Sequence, residues 1–226
     1  MKINNKPLGM FHMRINSFTY QPLRAERKVF QSEQSLKPIL GRLDMLSKDM
    51  QLIAEFRNKL DISNFIAELL MYKENILDID DGYRYRCFLT SVSNPVSEFW
   101  QGWYRITLPL SVIQEGSRRE IHLKKDTNYI QVAGNWRTDC LFEITPNQDI
   151  EVFEIYGYEI SHLYAGKTVY LDGESKRVYT ATEPNKYNDC VLKDKMFPSL
   201  EPGIQEIQMN SASDVTVILK YTPIYV

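Results

Sequence analysis

Histidines, cysteines and clustered carboxylates are the side chains that could do chemistry in this chain, and their spacing argues against it. His12, His122 and His162 stand far apart in sequence. None sits in a His-Glu-x-x-His or His-x-His pattern that would bring two imidazoles to one metal. His122 alternates with Ile121 and Leu123, the place of a solvent-facing strand residue. Cys87, Cys140 and Cys190 are odd in number and fit neither a zinc spacing nor a disulfide framework, which favours reduced thiols. The sequence has no Gly-x-Ser-x-Gly elbow, no glycine-rich phosphate loop and no cysteine with a neighbouring histidine. It therefore reads as a non-enzyme, with no catalytic residue, no metal ligand set and no cofactor.

Two clusters call for weighing. Asp78, Asp80 and Asp81 could offer oxygen ligands to a divalent cation, but the spacing and closing Glu of an EF-hand are missing. A hydrated turn between strands is the favoured reading. Asn135-Trp136-Arg137 offers three residue types found in galectin-type sugar sites. Adjacent strand residues point to opposite faces, so Asn135 and Arg137 cannot share a surface with Trp136 unless a loop intervenes. Arg84 and Arg86 share one face of a strand whose other face carries Tyr83, Tyr85, Cys87 and Leu89. They could line a channel, pair with acids of another subunit or face water, and the solvated face is the default.

The elements that would position these residues are mostly strands. The chain has 226 residues, 43% hydrophobic and 25% charged, with 14 Tyr, the composition of a globular protein able to bury a core. Its net charge of −2 argues against a nucleic-acid grip. No apolar run approaches the ~20 residues of a membrane helix, and the Met1–Lys6 start lacks an apolar signal core. Alternations predict strands at 11–18, 49–57, 83–89 and from Trp100 through Leu108. The i, i+3, i+4, i+7, i+8 spacing of Ile62, Phe65, Ile66, Leu69 and Leu70 predicts a helix over 61–73 with Asp61 as N-cap. A charged stretch at 24–44, with Arg24, Arg27, Lys28, Arg42, Pro38 and Gly41, shows no sustained period and reads as a surface loop. Polar residues around Gly116 read as a linker. After it come short strands at 121–123, 129–132, 141–144, 150–156, 158–162, 168–171, 177–180, 205–209 and 215–221, separated by turns at Pro146-Asn147, Asp172-Gly173 and Pro202-Gly203. Such spacing predicts a sandwich or jelly roll. The competing class is a carbohydrate-binding β-sandwich module.

One ordered set of segments is more specific. Gly166-Lys167-Thr168-Val169-Tyr170-Leu171-Asp172-Gly173 gives a strand and turn, and Lys176-Arg177-Val178-Tyr179 returns. Then come Phe197-Pro198-Ser199-Leu200-Glu201-Pro202-Gly203, the alternation Val215, Val217, Leu219, Tyr221, and Thr222-Pro223. This order resembles the C-terminal half of the distal tail proteins of long-tailed phages with non-contractile tails, and the N-terminal half follows the family's order more loosely. The resemblance implies a mainly β fold in two domains. The first, 1–117, would be a β-sandwich-like ring-forming domain with one helix and a charged arm at about 24–44. The second, 118–226, would be a galectin-like jelly roll. It further implies a homo-hexameric hub ring, built in the host cytoplasm into the virion, between the tail tube protein and the tail-tip or receptor-binding proteins. Viral DNA would pass its lumen without specific binding, and no membrane anchor is expected. Arg24, Arg27, Lys28 and Arg42 on the arm, with Arg84 and Arg86, are the expected interface residues.

Overall fold

Strand alternation accounts for most of what the computed structural model contains. It describes residues 1–20, 25–30, 39–45, 48–98, 102–124, 126–210 and 214–226, with the backbone alone for 20, 25–30, 39–45, 97 and 98. By internal contacts the chain divides into two units, Met1–Gln114 and Glu115–Val226. The architecture is mainly β, with one α-helix among the described residues.

The first unit is built on one sheet. Its strands run in the order Lys6–Pro7, Lys2–Ile3, Asn75–Asp78, Arg84–Leu89, Trp103–Glu115, Lys48–Phe56 and Met13–Tyr20, with Val96–Glu98 also paired to Trp103–Glu115. Period-two alternation decides its faces. Met50, Leu52, Ala54 and Phe56 are buried, as are Ile106, Leu108, Leu110 and Val112, and Tyr85 and Cys87 on the next strand. All belong to one core that Ile62, Phe65 and Leu69 of the helix complete.

The helix spans Lys59–Met71 and begins two residues earlier than its apolar stripe suggests. Its N-cap is Asn58, not Asp61. Asn58 Oδ1 accepts the Asp61 backbone N–H at 2.8 Å, and Asn58 Nδ2 donates to Asp61 Oδ2 at 2.8 Å. An amide can accept and donate at once, so Asn58 closes a reciprocal bracket that Asp61 at the cap could not. Leu70, expected in the buried stripe, is 69% exposed.

The charged stretch at 24–44 also departs from expectation. Ala25–Phe30 pairs antiparallel with Ile39–Met45 as a sheet of its own. The register shifts between Arg27 and Val29, and such an irregularity breaks the alternation that would have announced a strand. Arg24 lies outside the described residues. Arg27, Lys28 and Arg42 fall on these strands, where the description covers backbone only. Trp100, expected in the following strand, also lies outside it; the strand described begins at Trp103.

The second unit is layered like a sandwich. One sheet runs Arg119–Leu123, Val215–Tyr221, Thr138–Pro146, Val169–Asp172, Arg177–Thr180, with Ser199–Leu200 on Thr138–Pro146. The pair Thr127–Val132 and Gly203–Gln208, and the set Ile150–Ile155, Tyr158–Leu163 and Cys190–Val191, supply further sheets. Val215, Val217, Leu219 and Tyr221 share one buried face and join Phe142, Ile144, Phe153 and Ile160 in a single core. No barrel closes among the described strands. Gly203 has φ 101°, the positive value its place after Pro202 requires. Gly173 is needed for a different reason: a Cβ there would lie 1.9 Å from the Pro198 carbonyl oxygen. The left-handed residue of that turn is instead Lys176, φ 56°.

Candidate functional site

The side chains weighed and set aside as candidates for chemistry are buried or make contacts within the chain. Asp78 Oδ1 accepts the Asp80 N–H at 3.0 Å, and Asp80 pairs with the terminal ammonium of Met1. Asp81 accepts the Tyr83 N–H at 3.0 Å and the Tyr85 hydroxyl. The three carboxylates are thus turned to separate turn and terminus contacts. His12 faces Asp61, His122 faces Glu120 and His162 faces Asp189, each across more than 3 Å and each largely exposed. Burial pushes the thiols of Cys87 and Cys190 up to about 12 and about 11, and that of Cys140 upward as well. A thiol so shifted is a poor nucleophile. Asn135 is occupied by the chain end: its Oδ1 accepts the Val226 N–H at 2.8 Å and its Nδ2 donates to the Val226 carbonyl at 3.0 Å. Trp136 is bridged to Ile224. Asn135 and Trp136 are therefore engaged with residues 224–226.

The outer face of the first unit's sheet is a better candidate. Antiparallel register places Arg14, Glu55 and Arg105 directly opposite one another on three adjacent strands. The Glu55 carboxylate takes Arg14 Nε at 2.6 Å on one oxygen. On the other it takes Arg105 Nη2 at 2.8 Å, Arg105 Nε at 3.3 Å and Asn16 Nδ2 at 3.2 Å. It is only 3% exposed although it points away from the apolar core. The Arg105 guanidinium, with Arg14 behind it, holds this carboxyl below the usual carboxylate range. Trp103 adds an aromatic plate: Arg14 lies 4.8 Å and Arg57 5.5 Å from its ring centroid. A carboxylate held this way acts as a clamp. It fixes two guanidinium planes while the Arg14 and Arg105 side chains stay 54% and 39% exposed. Such an array can meet carboxylates or polar edges of another protein surface with its geometry already set.

Arg84 and Arg86 lie on the same sheet and, by alternation with buried Tyr85 and Cys87, on its outer side. Arg86 Nη1 donates to Glu74 at 3.0 Å. Arg84 is exposed and, with Lys2, Asn4, Glu74 and Asp78, lines a recess of about 460 Å³. The structure thus places these two expected residues on one mixed-charge face. The Arg14–Glu55–Arg105 array was missed because its members come from sequence positions 41 and 50 residues apart. Only strand register brings them together.

No family model matches the chain, and no curated protein matches it. Solved structures do. The chain is similar to the Dit (gp 19.1) protein of phage SPP1, described as a paradigm of the hub adsorption apparatus in phages infecting Gram-positive bacteria. That match has a TM-score of 0.75 at 8% identity and covers 99% of this chain and 98% of that one. It is also similar to chains in the phage P2 baseplate in its activated conformation, with Ca and with Sr. Each of these has a TM-score of 0.55 at 10% identity, covering 92% of this chain and 90% of that one. The likeness is one of fold, and it extends over both units.

Proposed function

We propose that this chain is a structural component of a phage tail tip or baseplate, a hub protein rather than an enzyme. The observation that carries the reading is the end-to-end fold similarity to a hub protein, 99% of one chain on 98% of the other. In this reading copies of the chain close into a hexameric ring joining the tail tube to the host-adsorption apparatus. Residues 1–117 form the ring wall with the hairpin at about 24–44 as an arm, and 118–226 form a galectin-like domain that supports peripheral or receptor-binding proteins. Assembly takes place in the host cytoplasm, the product is a virion part, and DNA passes through the lumen without a specific contact.

The mechanism is association. A ring needs head-to-tail contacts, in which one surface meets a different surface of the next copy. The fixed guanidiniums of Arg14 and Arg105, with Arg84 and Arg86, supply orientation and partner choice across such a contact more than raw affinity. Native mass spectrometry and negative-stain imaging at high protein concentration test the reading. The expected result is a closed hexameric annulus that Arg84→Glu/Arg86→Glu shifts to monomer. Monomers at every concentration, with no annulus even beside the tail tube protein, would overturn it.

A further inference from the structure

A second concave site lies in the second unit, within the connection between Arg177–Thr180 and Ser199–Leu200. Lys176, Arg177, Asn185, Tyr187, Asn188 and Phe197 line an open surface recess of about 440 Å³, a volume within the range of small-ligand sites. Tyr187 and Phe197 form one wall, ring centroids 6.3 Å apart and tilted by 39°, with Tyr187 49% exposed. Asn185 and Asn188 add planar amides, and Lys176 and Arg177 add positive charge. Among the described residues the lining contains no carboxylate.

This connection is held in shape with unusual firmness. Lys186, in its middle, is 6% exposed, and its Nζ donates to Asp189 at 2.6 Å. The Lys186 N–H also donates to the Val178 carbonyl at 2.7 Å, tying the loop to the adjacent strand. Lys186 is buried while the side chain of its partner Asp189 stays 34% exposed, so the pair anchors the loop at its lysine end. That anchor sets Asn185, Tyr187 and Asn188 on either side of it. Asn185 Oδ1 accepts the Tyr187 N–H at 3.0 Å, and Arg177 Nη2 donates to the Pro184 carbonyl at 2.9 Å. Lys176, on the rim, holds a left-handed φ of 56° that a non-glycine residue adopts at some strain.

We propose that this recess binds a short saccharide bearing a carboxylate or phosphate. An aromatic wall suits the apolar face of a pyranose, paired amides suit its hydroxyls, and the cationic rim suits an acidic substituent. Lys176 is already paired with Asp139 at 3.0 Å, so Arg177 is the principal anion contact. The site shares no lining residue with Asn135-Trp136-Arg137.

Saturation-transfer difference NMR on the full chain tests it with D-glucuronate, D-glucose 6-phosphate and D-glucose. The expected result is saturation of ring protons on both acidic sugars, with glucose weaker by about tenfold, the factor that one charge-assisted contact supplies. A stronger signal from one acidic sugar identifies which anion the rim prefers. Tyr187→Ala and Asn188→Ala each lower the affinity by about tenfold. Arg177→Gln brings the three sugars level. Both Tyr187 and Asn188 are exposed, so if one variant fails to fold the other still reports. No transfer to any sugar, equal binding of glucose by the unsubstituted chain, or full binding by a folded Tyr187→Ala or Asn188→Ala variant would overturn the proposal.

Discussion

The two units carry opposite versions of the same electrostatic device. In the first, a carboxylate sits between two guanidiniums: Arg14, Glu55 and Arg105 on neighbouring strands. In the second, an ammonium sits between two carboxylates: Lys220 Nζ lies 2.8 Å from Glu143 and 3.5 Å from Glu120. The centre of the first is almost sealed, while the Lys220 and Glu143 side chains both remain 20% exposed. Burial raises the consequence of losing a partner, because a stranded charge in a dry site has no water to turn to. The first network therefore holds its arginines rigidly, and the second behaves more like a surface ladder. The difference lies in how each centre is held: the Glu55 side chain is 4% exposed, the Lys220 side chain 20%.

The strongest way to break the comparison is to unfold one side of it. Gly173→Ala drives a Cβ into the Pro198 carbonyl and to within 2.8 Å of the Cys140 carbonyl, both backbone atoms that cannot rotate away. The expected loss is about 3 kcal/mol or more, confined to the second unit. Hydrogen exchange read by mass spectrometry should show protection lost in Thr138–Pro146 and retained in Lys48–Phe56. Equal loss in both units would mean that they do not unfold separately, and the comparison would lose its basis. Next in size is Glu55→Gln, which keeps the shape but leaves two guanidiniums facing a neutral amide. A loss of about 2 kcal/mol in urea unfolding is expected, as for charge-assisted hydrogen bonds in a buried site. Lys220→Met should lose no more than about 1 kcal/mol, since its partners can turn to solvent. If Lys220→Met proves the more harmful of the two, the burial argument fails.

Much of this was legible in the chain itself. Arg177–Thr180 follows from the turn at Asp172-Gly173 that returns the chain, and the bounds of Val215–Tyr221 follow from alternation, because a strand buried on one face must repeat every second residue. The opposition of Arg84 and Arg86 to Tyr85 and Cys87 was readable for the same reason. What stayed hidden depends on neighbours distant in sequence. The Gly173 requirement is set by Pro198, and the meaning of Glu55 is set by Arg14 and Arg105. The helix start was misplaced because Asn58 and Asp61 are both good capping residues, and only their reciprocal bonds tell them apart. The pairing of Ala25–Phe30 with Ile39–Met45 escaped because an irregular register erases its period. The recess beside Tyr187 is built by short 3₁₀ turns and a buried lysine, for which sequence patterns have no repeat to offer.

The smallest expected effect, and the one that sharpens the contrast most, is in pH. Glu55 has a carboxyl pKa lowered in the folded chain, chiefly by Arg105, so its network contributes fully above the ordinary carboxylate range. That contribution fades as pH falls through the folded-state value, which lies below 4.5. Lys220 has a pKa raised above 10.5, chiefly by its hydrogen bond to Glu143, so its contribution is complete below that pH and fades as pH rises through the folded-state value. The stability gap between the unsubstituted chain and Glu55→Gln should therefore stay constant from pH 9 down to the ordinary carboxylate range and narrow only below pH 4.5. The gap to Lys220→Met should be flat from pH 7 to pH 9 and narrow only in strong alkali, as pH rises through the raised Lys220 value. Urea midpoints for the three proteins at matched pH values read both gaps directly. A Glu55→Gln gap unchanged well below pH 4.5 would show that Arg14 and Arg105 do not depend on the charge between them, and the clamp described for that face would have to be abandoned.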